Sequence, residues 1–177
     1  MRVCVFCGSS VGIGERYSES ARRLGEALAQ RNLGLVYGGG NIGLMGVLAD
    51  AVLARGGEVV GVIPRFLMEK ELGHTGVTKL VTVESMHERK AIMAEYSNAF
   101  IALPGGFGTA DELFEILTWR QLHLHDKPIG LLNVAGFFNP FLDWLDTMVR
   151  EGFVKQSNRN LIVVRENEDE LLDALMA

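Results

Sequence analysis

The chain has 177 residues, 48% hydrophobic and 22% charged, and its 17 Lys and Arg against 22 Asp and Glu give a formal net charge of −5. This length suits one domain, residues 1–177, and a domain near 150 residues buries roughly 68–70% of the surface its unfolded chain exposes. The acidic balance argues against nucleic-acid binding, which needs a basic face, but leaves room for one small phosphate held by a few concentrated positive groups.

Val3–Cys7 reads as the first strand. This opening apolar run is too short for a signal peptide or a membrane span, so no membrane association is expected. It holds both cysteines, Cys4 and Cys7. Three positions apart on a strand, they point to opposite faces, which fits neither a redox pair at a helix start nor a zinc site. Reduced thiols and no leader imply the cytoplasm. Glu15–Arg31 is predicted helical, with Ala21, Leu24, Ala27 and Leu28 near a 3.6-residue period. Leu33–Tyr37 is a strand stopped by Gly38-Gly39-Gly40, Ile42–Arg55 a helix ended by Gly56-Gly57, and Glu58–Ile63 a strand closed by Pro64. Residues 66–78 read as a mobile loop. Then come strand Lys79–Val83 and helix Ser85–Ser97, which opens on a Ser85–Glu88 capping box. Strand Ala99–Leu103 precedes helix Thr109–Leu122. Ile129–Asn133 and Leu161–Val164 are the last strands, Asn139–Glu151 and Asn167–Met176 the last helices.

Continuous apolar strands alternating with helices predict an α/β fold: an open, doubly wound parallel sheet of about seven strands, covered on both faces. Ligands of such sheets bind beyond the carboxyl ends of the strands. Gly8-Ser9-Ser10, Gly38-Gly39-Gly40, Pro64-Arg65 and Gly105-Gly106 all fall at that edge.

Two glycine loops carry a phosphate signal. Gly38-x-Gly40-x-x-Gly43 matches the dinucleotide fingerprint by letter, but it follows the second strand, and the next strand ends in Arg65 where a ribose-binding acid belongs. Gly38, Gly39 and Gly40 are therefore phosphate-loop candidates, or glycines that only let a helix pack on the sheet. The stronger signal is Pro104-Gly105-Gly106-Phe107-Gly108-Thr109-Ala110-Asp111-Glu112. A strand, a glycine turn, a capping Thr109 and a helix start make an anion site, because helix-start amides carry about half a positive charge in sum.

Two charged residues fall on apolar stripes. Arg89 is in phase with Met86, Met93 and Tyr96, and Glu112 with Ile116 and Trp119. Asp111 fits the plain role of an acid in the first helical turn. Arg89 and Glu112 beside an anion turn suit cleavage of a phosphorylated sugar: the carboxylate stabilises an oxocarbenium-like centre or activates water, and a cation helps the leaving group depart. The four histidines have no metal-ligand spacing, so no metal is predicted.

These motifs carry a resemblance. Pro104–Glu112 matches P-G-G-x-G-T-x-x-E, Met86–Lys90 matches M-H-x-R-K, and Gly38–Gly46 matches G-G-G-x-x-G-L-M-G, so the chain resembles the LONELY GUY family of cytokinin riboside 5'-monophosphate phosphoribohydrolases over nearly its whole length. The resemblance implies a Rossmann-like fold and hydrolysis of the N-glycosidic bond of a nucleoside 5'-monophosphate, a cytokinin nucleotide or AMP, to free base and ribose 5-phosphate, without a cofactor. It implies that Arg89 and Glu112 are catalytic and that the Gly106–Thr109 turn holds the phosphate. Glu71, Lys90, Gly105, Phe107, Ala110, Asp111 and Thr118 complete the substrate site that it implies, in a homodimer. Plant relatives often carry Leu-Glu at Ala110-Asp111, which bears on selectivity. Members are often labelled lysine decarboxylases, but no pyridoxal-phosphate lysine environment is evident. The alternative is a nucleotide-binding sensor without turnover.

Overall fold

The computed structural model describes residues 1–68 and 72–177. Its strands are β1 (Arg2–Phe6), β2 (Gly34–Tyr37), β3 (Val59–Pro64), β4 (Lys79–Val83), β5 (Ala99–Ala102), β6 (Ile129–Leu132) and β7 (Ile162–Arg165). The helices are α1 (Arg16–Gln30), α2 (Gly43–Ala54), α3 (Met86–Glu95), α4 (Phe107–Gln121), α5 (Asn139–Arg150), α6 (Gln156–Arg159) and α7 (Glu168–Met176). All seven strands join one parallel sheet in the order β4-β3-β2-β1-β5-β6-β7, with Val3 registered on Leu35 to one side and on Ala99 to the other. This is the predicted doubly wound sheet. Its order reverses at β1, and the crevice between β1 and β5 is the switch point at which such sheets bind ligands.

Alternation along β1 divides the core. Val3, Val5 and Cys7 join Leu24, Leu28, Leu48, Val52, Leu171 and Leu172 of α1, α2 and α7, while Cys4 and Phe6 join Met93, Leu113, Ile116 and Leu145 of α3, α4 and α5. The two thiols thus lie on opposite faces of the sheet and form no disulfide. No helix among the described residues is long and apolar enough to cross a membrane.

Four local findings differ from the sequence reading. The short helix α6 was not anticipated, because four polar residues carry no hydrophobic period. Helix α4 begins at Phe107 with Gly106 as its cap, so Thr109 is not the cap and Asp111 and Glu112 lie beyond the first turn. The 66–78 segment, read as mobile, is tied down over its described part. Asn41 N–H donates to the Leu72 carbonyl at 3.1 Å and His74 N–H to Gly39 at 2.9 Å, and the buried His74 ring meets Asp50 at 2.9 Å. The capping box at α3 forms with a shift: Ser85 Oγ accepts from Glu88 N–H at 3.1 Å, but the Glu88 carboxylate reaches back to Glu84 N–H at 2.9 Å.

His125 sits between α4 and β5, its ring against Phe100. Nε2 lies 3.1 Å from the Ile116 carbonyl and Nδ1 accepts from Lys127 N–H at 3.2 Å, contacts that only the neutral Nε2–H ring can make together. Burial lowers its pKa from the ordinary 6.5, the nearby Lys127 and Arg120 charges push the same way, and the Ile116 bond opposes them. Between the lowered folded value and 6.5 the unfolded chain binds the proton better, so stability falls as pH falls through that window. Thermal melts from pH 7.5 down to 5 should lose melting temperature below about 6.5, and His125→Gln should flatten that part of the profile; parallel profiles would refute this assignment.

Candidate active site

Four chain segments converge beyond the carboxyl ends of β1, β2 and β5. They enclose a cavity of about 150 Å³ whose lining includes Cys7, Gly8, Ser9, Gly38, Met45, Arg89, Gly106, Phe107, Gly108, Thr109 and Glu112. Peptide bonds fix its floor. Gly8 N–H donates to the Pro104 carbonyl at 3.1 Å, and the Gly8 carbonyl accepts from Leu44 N–H at 3.0 Å, which links β1, the β5–α4 turn and the start of α2.

Helix geometry leaves the amides of Phe107, Gly108 and Thr109 without intrahelical acceptors, and the dipole of α4 adds positive potential there. Gly106 and Gly108 have open space where a Cβ would stand, so an anion can approach these amides closely. Gly105 is a glycine for the opposite reason. A Cβ there would meet Thr109 Oγ1 at 2.1 Å and Gly8 N at 2.9 Å.

Arg89 and Glu112 are both buried, as their phase on α3 and α4 required, at 5% and 8% exposure. Arg89 Nε donates to the Val62 carbonyl at 3.1 Å and Nη2 to the Gly38 carbonyl at 2.8 Å, while Nη1 lies 3.8 Å from Met86 Sδ. Neutral carbonyls at the ends of β2 and β3 thus aim the guanidinium. Cys4 lies beneath this pair; burial pushes its thiol well above the usual 9.0, and the Glu112 charge pushes the same way.

The glycine triplet meets the cavity at one residue. Only Gly38 lines the cavity, and a Cβ on it would come within 2.2 Å of Arg89 Nη2. Gly39 packs against Ile63 and Leu80, and Gly40 bridges to Gly73. Their glycine character serves close packing and the seat of Arg89, while the amides presented to the cavity belong to α4.

The other predicted residues that the structure describes lie outside this lining. Lys90 is not a lining residue; its ammonium meets Asp111 at 3.0 Å and Glu115 at 3.1 Å. Burial alone would lower the Lys90 pKa, but the hydrogen bond to Asp111 and the ion pair with Glu115 outweigh it and hold the ammonium above 10.5. Gly105 and Ala110 face an apolar hollow with Phe137, Phe138 and Phe141. Thr118 lies further along α4, in a separate groove with Phe114, Leu117, Leu145 and Met148. Glu71 lies outside the described residues. Sequence reasoning marked Gly8-Ser9 as a strand end at the ligand edge but missed Met45 and Cys7, which look like ordinary core residues. Among the described residues, no group of three or more His, Cys, Asp or Glu is placed to hold a metal ion.

Fold and site together define an α/β protein with an acid and a guanidinium at one cavity with an open helix start, at the switch point of a parallel sheet. The family described as possible lysine decarboxylase matches residues 45–175. A cytokinin riboside 5'-monophosphate phosphoribohydrolase of Arabidopsis thaliana is 52% identical over 176 residues, covering 99% of this chain and 77% of that protein. One of Oryza sativa subsp. japonica is 49% identical over 171 residues, 97% of this chain and 71% of that protein. The chain belongs to this phosphoribohydrolase family. Solved structures share the fold at lower identity. The molybdenum cofactor binding protein of Rippkaea orientalis aligns with a TM-score of 0.73 at 19% identity, covering 99% of this chain and 97% of that one. The molybdenum cofactor carrier protein of Chlamydomonas reinhardtii aligns at 0.74 and 21%, covering 99% and 95%.

The two kinds of glycine separate in a melting experiment. Gly105→Ala should lower the melting temperature by several degrees, at a cost of about 1–3 kcal/mol for overpacking. Gly108→Ala should leave it unchanged or raise it, since alanine is favoured over glycine in a helix by up to about 1 kcal/mol, yet weaken phosphate binding. Equal melting temperatures for the two variants would contradict the assignment.

Proposed function

We propose that the protein hydrolyses the N-glycosidic bond of nucleoside 5'-monophosphates, cytokinin riboside 5'-monophosphates or AMP, to free base and ribose 5-phosphate. The observation that carries this reading is that Arg89 and Glu112, from two helices, line one cavity with the open amide end of α4. About 50% identity to phosphoribohydrolases over nearly the whole chain supports it.

In this reading the 5'-phosphate sits on the amides of Phe107–Thr109 over the bare Gly106 and Gly108. The phosphate anchors the ribose, and C1' lies toward Glu112. Heterolysis of the C1'–N bond leaves its electron pair on the base and positive charge on the sugar; the nearby carboxylate stabilises that charge and orients the water that adds to C1'. The water proton balances the base released. The Arg89 guanidinium, held by two carbonyls, offsets negative charge on the substrate as the base departs. The chemistry uses water and these side chains alone. It proceeds in the cytoplasm, where thiols such as Cys4 and Cys7 stay reduced.

We assign the working unit as a homodimer formed on the α4–α5 side, which in this reading brings Thr118 to the partner's site. The groove at Thr118 and the exposure of Leu122, Leu124, Trp144 and Phe153 support this.

Incubation with AMP and with isopentenyladenosine monophosphate, followed by chromatography, should release base. Glu112→Gln and Arg89→Ala should each lower kcat/KM by about 10²–10⁴-fold and still melt cooperatively. No release from either nucleotide by folded wild-type protein overturns the reading, and tight AMP binding without release points to a sensor. Light scattering on the eluting protein should return twice the chain mass; the mass of one chain would refute the dimer.

A further inference from the structure

Lys90 follows Arg89 on α3, and Asp111 precedes Glu112 on α4. The residues of the proposed reacting pair are thus each next in sequence to a member of a second charged contact. Lys90 keeps only 11% of its side chain exposed and its ammonium is shared between Asp111 Oδ2 at 3.0 Å and Glu115 Oε2 at 3.1 Å. Asp111 and Glu115 are four residues apart, on one face of α4. One ammonium therefore grips two successive turns of the neighbouring helix. This restrains both the sliding of α4 along α3 and its rotation about its own axis, which a single surface pair would not. A pair of exposed ions does little, but an ammonium mostly withdrawn from water is screened less and couples more strongly to its partners.

We propose that Lys90 is a positioning residue: through Asp111 and Glu115 it fixes α4 against α3 and so sets Glu112 relative to Arg89. The inference rests on the reading of Arg89 and Glu112 as the reacting pair and deepens it. The resemblance implies that Lys90 belongs to the substrate-binding set; here its ammonium is committed to two carboxylates and lies outside the lining of the cavity. The two views predict different kinetics. A clamp serves the geometry of the reacting groups and so shows in kcat, whereas a substrate contact shows in KM.

The test uses the full-length protein with AMP. Lys90→Gln and the double variant Asp111→Asn/Glu115→Asn should each lower kcat about tenfold with KM within about twofold of wild type. The triple variant should be no slower than either, because all three changes open the same clamp. Lys90→Arg, which can still span both carboxylates, should restore most of kcat. If Lys90→Gln instead raises KM while the acid-free double variant matches wild type, Lys90 is a substrate contact and the proposal fails. It also fails if kcat is unchanged throughout or if the effects simply multiply. A second readout needs no turnover. The Nε–H of Arg89, bonded to the Val62 carbonyl, should lose hydrogen-exchange protection in NMR spectra of both Lys90→Gln and the acid-free variant. Unchanged protection in both overturns the clamp, even where wild-type protein proves to cleave no AMP; that failure of turnover alone would count against the proposed function and not against the clamp.

Discussion

The structure depends on the reversal of strand order at β1. Chain leaving β1 turns to one side of the sheet and chain leaving β5 to the other, so the two connections part and leave a crevice that no side chain has to be carved away to make. The segments that line the cavity gather around that parting. The Gly8 turn closes the bottom, the start of α4 supplies amides on one side, and the ends of β2 and β3 supply the carbonyls that seat Arg89 on the other. In a protein with a net charge of −5, this places a helix end and a guanidinium, with the Glu112 carboxylate, at one cavity.

The seating of Arg89 decides what the site can do. A buried guanidinium needs its donors satisfied. The carbonyls of Gly38 and Val62 satisfy donors without contributing a formal charge. They fix the guanidinium beside Glu112 in the wall of a partly dry cavity, where charges couple more strongly than they would in water. The absence of a side chain at position 38 is part of the same arrangement, since the guanidinium occupies the space that a Cβ would need.

Much of this was legible in the sequence, and the limits have physical causes. The alternation of apolar runs with amphipathic ones announced the sheet, because parallel strands are buried on both faces. Arg89 and Glu112 stood out because charge in phase with an apolar stripe is costly unless it has work to do. The start of α4 was misplaced by two residues because Thr109 is a good capping residue by type, whereas a bare Gly106 caps without a side-chain bond and leaves the amides open. Gly38, Gly39 and Gly40 were ambiguous because glycine marks close approach of any kind; only coordinates distinguish a phosphate from a guanidinium or a neighbouring strand. The commitment of Lys90 to Asp111 and Glu115 joins two helices, and no local pattern encodes a contact between elements.

Much of what builds the cavity is peptide: the amides at the start of α4, the Gly8 turn, and the Gly38 and Val62 carbonyls that hold Arg89 from behind. Such a site is blind to deletion and sensitive to addition. Truncating side chains to alanine leaves these parts untouched, because amides and carbonyls survive the change. The vulnerable positions are the bare ones, where a single added methyl group intrudes on backbone, guanidinium or ligand. The rim of the pocket can therefore drift while its floor is guarded by what cannot be added to it.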